Sequence, residues 1–186
     1  MAEMCGIKNK NDISPPSFND VARMGRPSKF IKIGGGGNCY FKALSYLLTG
    51  GEQYARLLRN FIVGKMQGPD ISERLENYLG KNPQAYLNES GMIEEGVWAT
   101  DAEIITTAWL FKTDIIVWSK VGETWRWQFF KTSLSGTKLT TPSTKRALYL
   151  CNTNSDHYDV VSAVEDKELK IAETMSDEEE FDEEFL

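Results

Sequence analysis

The chain has 186 residues, 41% of them hydrophobic, so its length and composition predict one compact domain with a buried core. A net charge of −6 argues against nucleic acid as a partner, because a protein that binds nucleic acid presents a basic face to the phosphates. Three cysteines without a CxxC spacing argue against a disulfide framework or a zinc site, and no apolar run approaches the roughly 20 residues that cross a bilayer.

The first half of the chain is predicted to hold a flexible arm, a short strand and three helices. Residues 1–28 show little periodicity and contain three prolines, which is typical of an arm. A short β-prone run, "FIKI", follows at 30–33. Apolar residues at helical spacing then predict helices over residues 39–48, 52–67 and 71–79.

The second half changes from one further helix to a series of strands. Thr100 and Glu103 have the spacing of a capping box, in which each side chain satisfies a free amide, and they predict a helix over 100–111. Four β-prone runs follow, at 114–119, 125–130, 146–152 and 157–164. This order favours an α+β domain over residues 29–166, with a small, mostly antiparallel β-sheet packed between helices. Residues 167–186 are acidic and predict a disordered tail.

Four consecutive glycines at 34–37 end two residues before Cys39, where the predicted first helix begins. The first turn of a helix carries unpaired amides and partial positive charge, which stabilise a thiolate and lower the pKa of a cysteine. Amides of a tight glycine turn can also bind a developing oxyanion. Cys39 is therefore a candidate nucleophile, and the alternative is a small buried cysteine that only follows a loop. A phosphate-binding loop does not fit, because "GNCYFK" lacks the GKS or GKT that such loops place at the helix start.

The single histidine of the chain, His157, is the candidate base for such a thiol. Side chains at i and i+2 of a strand share one face, so Asp159 is expected beside His157 and able to orient its imidazole. Cys5 lies in the predicted arm, and Cys151 ends an apolar strand and is most simply a core residue.

Three motifs, in this order, resemble the ovarian-tumour (OTU) family of cysteine proteases, which are deubiquitinases. "GGNCYFKAL" at 36–44 is similar to the D-G-N-C-L-F-R-A stretch of the family. "WATDAEIITTAWLFKTDIIVW" at 98–118 is similar to a W-G-G-x-x-E-L segment with the helix and strand that follow it. "DHYDVV" at 156–161 is similar to the final strand, which carries H-Y-N or H-Y-D. The resemblance covers residues 30–164.

The resemblance implies an OTU-type cysteine protease fold and hydrolysis of the isopeptide bond after the C-terminal glycine of ubiquitin, including polyubiquitin chains, with no metal or cofactor. Cys39 would be the nucleophile, His157 the general base and acid, and Asp159 the group that orients the imidazole. Backbone groups of the turn would bind the oxyanion, and they belong to Gly36, Gly37 and Asn38. The tail of ubiquitin would contact a further set, which is Gly35, Asn154, Ser155 and Asp156.

Two departures from the family pattern leave other functions open. Gly36 stands where the family has an acidic residue, and Ala99 and Thr100 replace the two glycines of W-G-G. The first change supports a second interpretation, a catalytically weak OTU-like module that binds ubiquitin without cleaving it. A third interpretation keeps the chemistry but takes another ubiquitin-like modifier that ends in Gly-Gly.

The remaining expectations concern setting and surface. No signal-peptide pattern precedes residue 30, so we expect an intracellular protein, cytoplasmic or nuclear. We expect a monomer that binds neither nucleic acid nor membranes. Trp125 and Trp127 share one face of a predicted strand, and we expect them to pack against the helices rather than to contact ubiquitin.

Overall fold

The computed structural model describes residues 24–132 and 147–166, and this part of the chain forms five helices and five strands. The helices are α1 (Cys39–Thr49), α2 (Ala55–Met66), α3 (Pro69–Leu79), α4 (Pro83–Ser90) and α5 (Asp101–Phe111). The strands are β1 (Met24–Ile31), β2 (Asp114–Val121), β3 (Thr124–Phe130), β4 (Ala147–Thr153) and β5 (His157–Asp166). None of the helices in these two ranges is long and apolar enough to span a bilayer.

Most predicted elements are confirmed, and local chemistry explains where they begin and end. Helix α1 stops at Gly50, whose left-handed backbone lets its amide bond back to Tyr46 O at 2.7 Å. At the start of α5, Thr100 and Glu103 form the expected capping box, with the Thr100 amide donating to the Glu103 carboxylate at 2.8 Å. Strands β2 and β3 form the expected hairpin around Gly122.

Two elements differ from the expectation. Helix α4 was not predicted, although the Asn82 side chain caps it and Pro83 opens it. Strand β1 begins at Met24, so the predicted boundary of the arm at residue 28 is wrong. The rest of the predicted arm and the acidic tail at 167–186 lie outside the described residues.

The five strands form one sheet in the order β1-β5-β4-β2-β3. The pairs β1–β5, β5–β4 and β2–β3 are antiparallel, and β2–β4 is parallel. The expected α+β class with a mostly antiparallel sheet is therefore confirmed. The described helices contribute side chains to one face only, where α1 contacts β5 and α5 contacts β2 and β3.

The opposite face of the sheet carries a smaller apolar cluster made of strand residues alone. The sheet curls around this face, since Trp127 Nε1 on one edge strand donates to Gly25 O on the other at 2.9 Å. Trp127 and Trp125 both contact Trp118 on this face. The expectation that these tryptophans pack against the helices is therefore wrong, because the register of β3 turns them to the other side.

The pairing of the first and last strands positions the site. Ile31, at the end of β1, pairs with Val160 in β5, so the glycine turn begins beside the strand that holds His157 and Asp159. The turn then leads directly into α1, which packs on β5. Residues from the two ends of the described chain meet at one place for this reason.

Candidate active site

The glycine stretch folds into a tight turn that ends at the first residue of α1. The Cys39 amide donates to Gly36 O at 3.0 Å, which closes the turn. Asn38, with φ −93° and ψ 2°, has the backbone of the third residue of a type I turn. Gly36 has φ +93°, a conformation that an L side chain rarely adopts. Glycine at position 36 therefore suits the local backbone of the turn.

Gly37 is required by packing rather than by its dihedral angles. A Cβ atom at this position would lie 1.7 Å from Gly96 O, so the turn and the segment before α5 touch through their backbones. Gly35 and Gly36 have open space where a Cβ would stand. At Gly34 a Cβ would meet only side-chain atoms of Glu52 and Lys42, so among the four glycines of the turn Gly37 alone is held to glycine by a backbone contact.

Arg59 of α2 joins this turn to the segment before α5, and it was not predicted from the sequence. Its side chain is fully buried and stacks over the Phe41 ring, with 4.3 Å from Cζ to the ring centroid. Its guanidinium donates to four oxygen atoms, which are Asn38 Oδ1 at 3.0 Å, Gly37 O at 2.9 Å, Met92 O at 2.9 Å and Val97 O. An arginine between the buried Leu58 and Ile62 of an apolar helix face was the signal that could have found it.

Cys39 is buried, with 2% of its surface exposed, and its Sγ lies 3.8 Å from Asp156 O. Burial raises the pKa of the Cys39 thiol, and the nearby amides of Tyr158 and Tyr40 act in the opposite direction without cancelling it. The direction is the reverse of the expected one, because desolvation of the thiolate outweighs its position at the helix start. Within the described ranges, the thiol makes no hydrogen bond to His157.

His157 and Asp159 form the expected pair on β5. His157 Nε2 lies 3.1 Å from Asp159 Oδ1, which accepts the hydrogen bond. The same oxygen accepts from the Ile33 amide at 3.0 Å, and Oδ2 accepts from Lys32 Nζ at 2.8 Å. Burial raises the pKa of Asp159, but the donors from Lys32, Ile33 and His157 outweigh it, and the net pKa lies below the ordinary value. The carboxylate is thus held ionised beside the imidazole.

The connection between β4 and β5 forms one side of a cleft, which Tyr158, between His157 and Asp159 on β5, also lines. Asn154 and Ser155 both have a left-handed backbone, with φ of 57° and 64°, and the Asp156 amide donates to Thr153 O at 3.3 Å. Ser155 also lines a cleft of about 800 Å³, whose other side includes Trp98, which is 54% exposed. The cleft runs between the 152–155 loop and the 96–102 segment.

The expected substrate-contacting residues are divided between this cleft and its surroundings. Ser155 lines the cleft, Asp156 contributes the carbonyl that faces the thiol, and Gly35 O accepts from Lys42 Nζ at 3.2 Å. Among the residues that the structure describes, no group of three or more His, Cys, Asp or Glu side chains could hold a metal ion.

The sequence matches no protein-family model and no curated protein. The fold, in contrast, is that of OTU domains, which the solved structures describe as proteases and deubiquitinases. The viral OTU domain protease from Dera Ghazi Khan virus is 21% identical, with a TM-score of 0.53 over 71% of this chain and 78% of the viral chain.

Two other structural neighbours were solved with ubiquitin. The Hazara virus OTU bound to ubiquitin is 18% identical, with a TM-score of 0.53 over 88% of this chain and 98% of that one. The OTU deubiquitinase from Wolbachia pipientis wMel bound to ubiquitin is 14% identical, with a TM-score of 0.52 over 75% of this chain and 96% of that one. At these identities the similarity establishes the OTU fold of this chain.

Proposed function

We propose that this protein is a deubiquitinase that hydrolyses the isopeptide bond after the C-terminal glycine of ubiquitin, with Cys39, His157 and Asp159 as its catalytic groups. The observation that carries the proposal is the hydrogen-bonded His157–Asp159 pair on β5. The Cys39 thiol at the start of α1 contacts the carbonyl of Asp156, the residue before His157, in a chain with an OTU fold. Structural neighbours with ubiquitin bound support the choice of substrate.

The chemistry divides among these three residues. Nε2 of His157 donates its hydrogen bond to Asp159, so Nδ1 is the nitrogen that accepts the thiol proton. The Cys39 sulfur then attacks the carbonyl carbon of the terminal glycine, and the resulting imidazolium gives its proton to the departing lysine amine. Water hydrolyses the thioester with His157 again as the base, which releases ubiquitin and restores the thiol.

The free protein lacks two contacts that the proposed chemistry needs. Burial favours the neutral thiol, and its contact is the Asp156 carbonyl rather than His157. The Cys39 amide is engaged with Gly36 O and is therefore not free for an oxyanion. Substrate binding has to move the turn or the sulfur, and hydrogen bonds at catalytic sites often tighten only in the substrate complex. Gly35 and Gly36, with open space around them, permit such a movement.

The test is reaction of the protein with ubiquitin that carries a C-terminal electrophile, followed by intact mass and peptide mapping. We expect one adduct, on Cys39, which is lost in Cys39→Ala and greatly slowed in His157→Ala. Cys151→Ala is the matched control, because Cys151 is also buried, with 5% exposed, and it should react as the parent does. Cleavage of ubiquitin dimers of defined linkage then shows turnover.

The outcomes separate the three functions raised by the sequence. A folded protein that binds ubiquitin but forms no adduct and cleaves no dimer would refute the proposal in favour of a binding module. A protein that neither binds nor reacts with ubiquitin, yet reacts with another Gly-Gly modifier, would replace the substrate and keep the chemistry. The intracellular location and the monomeric state stay predictions.

A further inference from the structure

We propose that Lys32 is a positioning residue for this active site: its ammonium holds Oδ2 of Asp159 and thereby turns Oδ1 towards His157. The inference rests on the proposed function, and nothing in the sequence motifs points to Lys32. It comes from the way in which three donors divide the two carboxylate oxygens.

The geometry assigns one set of donors to each oxygen. Oδ2 accepts from Lys32 Nζ at 2.8 Å, while Oδ1 accepts from the Ile33 amide at 3.0 Å and lies 3.1 Å from His157 Nε2. The torsion that rotates a carboxylate is soft and has no sharp preference of its own. A side chain and the next backbone amide therefore clamp the group at both oxygens, and the clamp fixes the oxygen that meets the imidazole.

The exposure of the two partners makes this contact unusual. The Lys32 side chain is 79% exposed, whereas that of Asp159 is only 2% exposed. A buried carboxylate oxygen needs a donor, and within the described residues Lys32 is the donor to Oδ2. Removal of Lys32 therefore leaves a buried acceptor unpaired and free to rotate, without removing any packed side chain from the core.

The charged and titratable groups around Asp159 are few. Lys32 approaches from the end of β1, Cys151 is its register partner on β4, and His157 lies on its own strand. Arg26 and Lys32 both line a groove of about 540 Å³ that also includes Asp159, but Arg26 is paired with Glu165 at 2.9 Å. Among the described residues, Lys32 is thus the cation that directly stabilises the ionised carboxylate, and its ammonium is among the groups that lower the pKa of Asp159.

The sign of the pH effect follows from this arrangement. Without the ammonium, Asp159 binds a proton at higher pH, and a neutral carboxyl orients the imidazole less well. We expect Lys32→Gln to raise the pKa of Asp159 in the carboxyl titration, and only modestly, because the lysine is exposed to solvent and its charge is screened. Between pH 5 and 9, where this carboxyl is ionised, kcat should fall about 3- to 10-fold with KM unchanged, because a carboxylate that is free to rotate orients the imidazole less well in the transition state.

The experiment compares the parent protein with Lys32→Gln, Lys32→Arg and Lys29→Gln in steady-state cleavage of a ubiquitin dimer from pH 5 to 9. Lys32→Arg keeps the cation and should restore the parent profile. Lys29 is an exposed lysine of β1, and Lys29→Gln controls for the loss of one surface charge. Titration of the Asp159 carboxyl by carbon-13 NMR, in the parent and in Lys32→Gln, gives a readout that does not need activity.

The two readouts separate this inference from the proposed function. An active parent whose profile and carboxyl titration are unchanged in Lys32→Gln would overturn the role of Lys32 and leave the deubiquitinase proposal standing. A parent without activity on ubiquitin would refute the proposed function, and the carboxyl titration alone would then decide about Lys32. A lower kcat and a raised pKa of Asp159 in Lys32→Gln, with recovery in Lys32→Arg, support the role of Lys32 in holding the carboxylate. Equal changes in Lys29→Gln reject that role.

Discussion

Replacement of Arg59 by methionine should destabilise the protein strongly, because one buried guanidinium joins the candidate active-site turn to the segment before α5. The substitution keeps an unbranched apolar stem over the Phe41 ring, so it removes the donors and the charge rather than the packing. Three backbone carbonyls lose their donor, those of Gly37, Met92 and Val97.

The magnitude follows from the number of oxygens left without a partner. Each buried acceptor that loses its hydrogen bond costs about 1–3 kcal/mol, and relief from burying the cation offsets part of the sum. The net loss in the free energy of unfolding should be about 3–5 kcal/mol. With a urea m-value of about 2 kcal/mol/M, the unfolding midpoint would move down by about 2 M.

The assay is equilibrium unfolding in urea, followed by tryptophan fluorescence and far-UV circular dichroism. Arg56→Met is the control on the same helix, because Arg56 is 79% exposed and makes a single 3.6 Å ion pair with Glu95. It should change the free energy of unfolding by at most about 0.5 kcal/mol. A loss below about 1 kcal/mol for Arg59→Met, or an equal loss for the control, would refute the bracing role derived from the contacts.

Three further substitutions test the turn, the loop and the triad. Gly37→Ala should lower the free energy of unfolding by about 1–3 kcal/mol and remove most of the activity, because its Cβ would meet a backbone oxygen at 1.7 Å. Gly35→Ala should be close to neutral, and similar urea midpoints for the two variants would contradict the packing argument. Ser155→Gly should raise the stability by about 0.5 kcal/mol in thermal unfolding, since it relieves a left-handed backbone with φ of 64°, and a lower midpoint would speak against strain there. His157→Ala should lower kcat/KM about tenfold more than Asp159→Ala, because proton transfer by the imidazole contributes more than its orientation by the carboxylate. The reverse order would show that Asp159 is not the group that orients His157.

Most of the helices and strands that the sequence predicts correctly are marked by residues close to their ends. The capping box of α5 and the glycine that ends α1 act within a few residues, so they can be read from the sequence. Strand β1 was partly missed because Gly25 and Pro27 are typical of a loop. The structure tolerates them because β1 is an edge strand with register shifts on both sides of Pro27.

The candidate site could be predicted only where its chemistry lies in short motifs. Cys39 follows the glycines, and His157 with Asp159 has strand spacing, so the sequence predicts these residues as the candidates. Lys32 was missed because its partner is 127 residues away, and the partners of Arg59 are known only once α2 and the segment before α5 are packed. The direction of the pKa shift of Cys39 was wrong for a similar reason, since burial depends on the whole fold rather than on the helix start.

The pairing of β1 with β5 has a consequence for how the protein acquires its site during synthesis. These strands stand at the beginning and the end of the described chain, and Met24 is in register with Asp166. Contacts between residues so far apart in sequence form late, because a long loop has to close before they contribute. The proposed nucleophile, Cys39, is translated early, but the strand with His157 and the carboxylate that Ile33 and Lys32 hold is translated much later. The edge of the sheet and the proposed catalytic arrangement are therefore completed together, so a chain synthesised only as far as β4 carries Cys39 without His157 and Asp159.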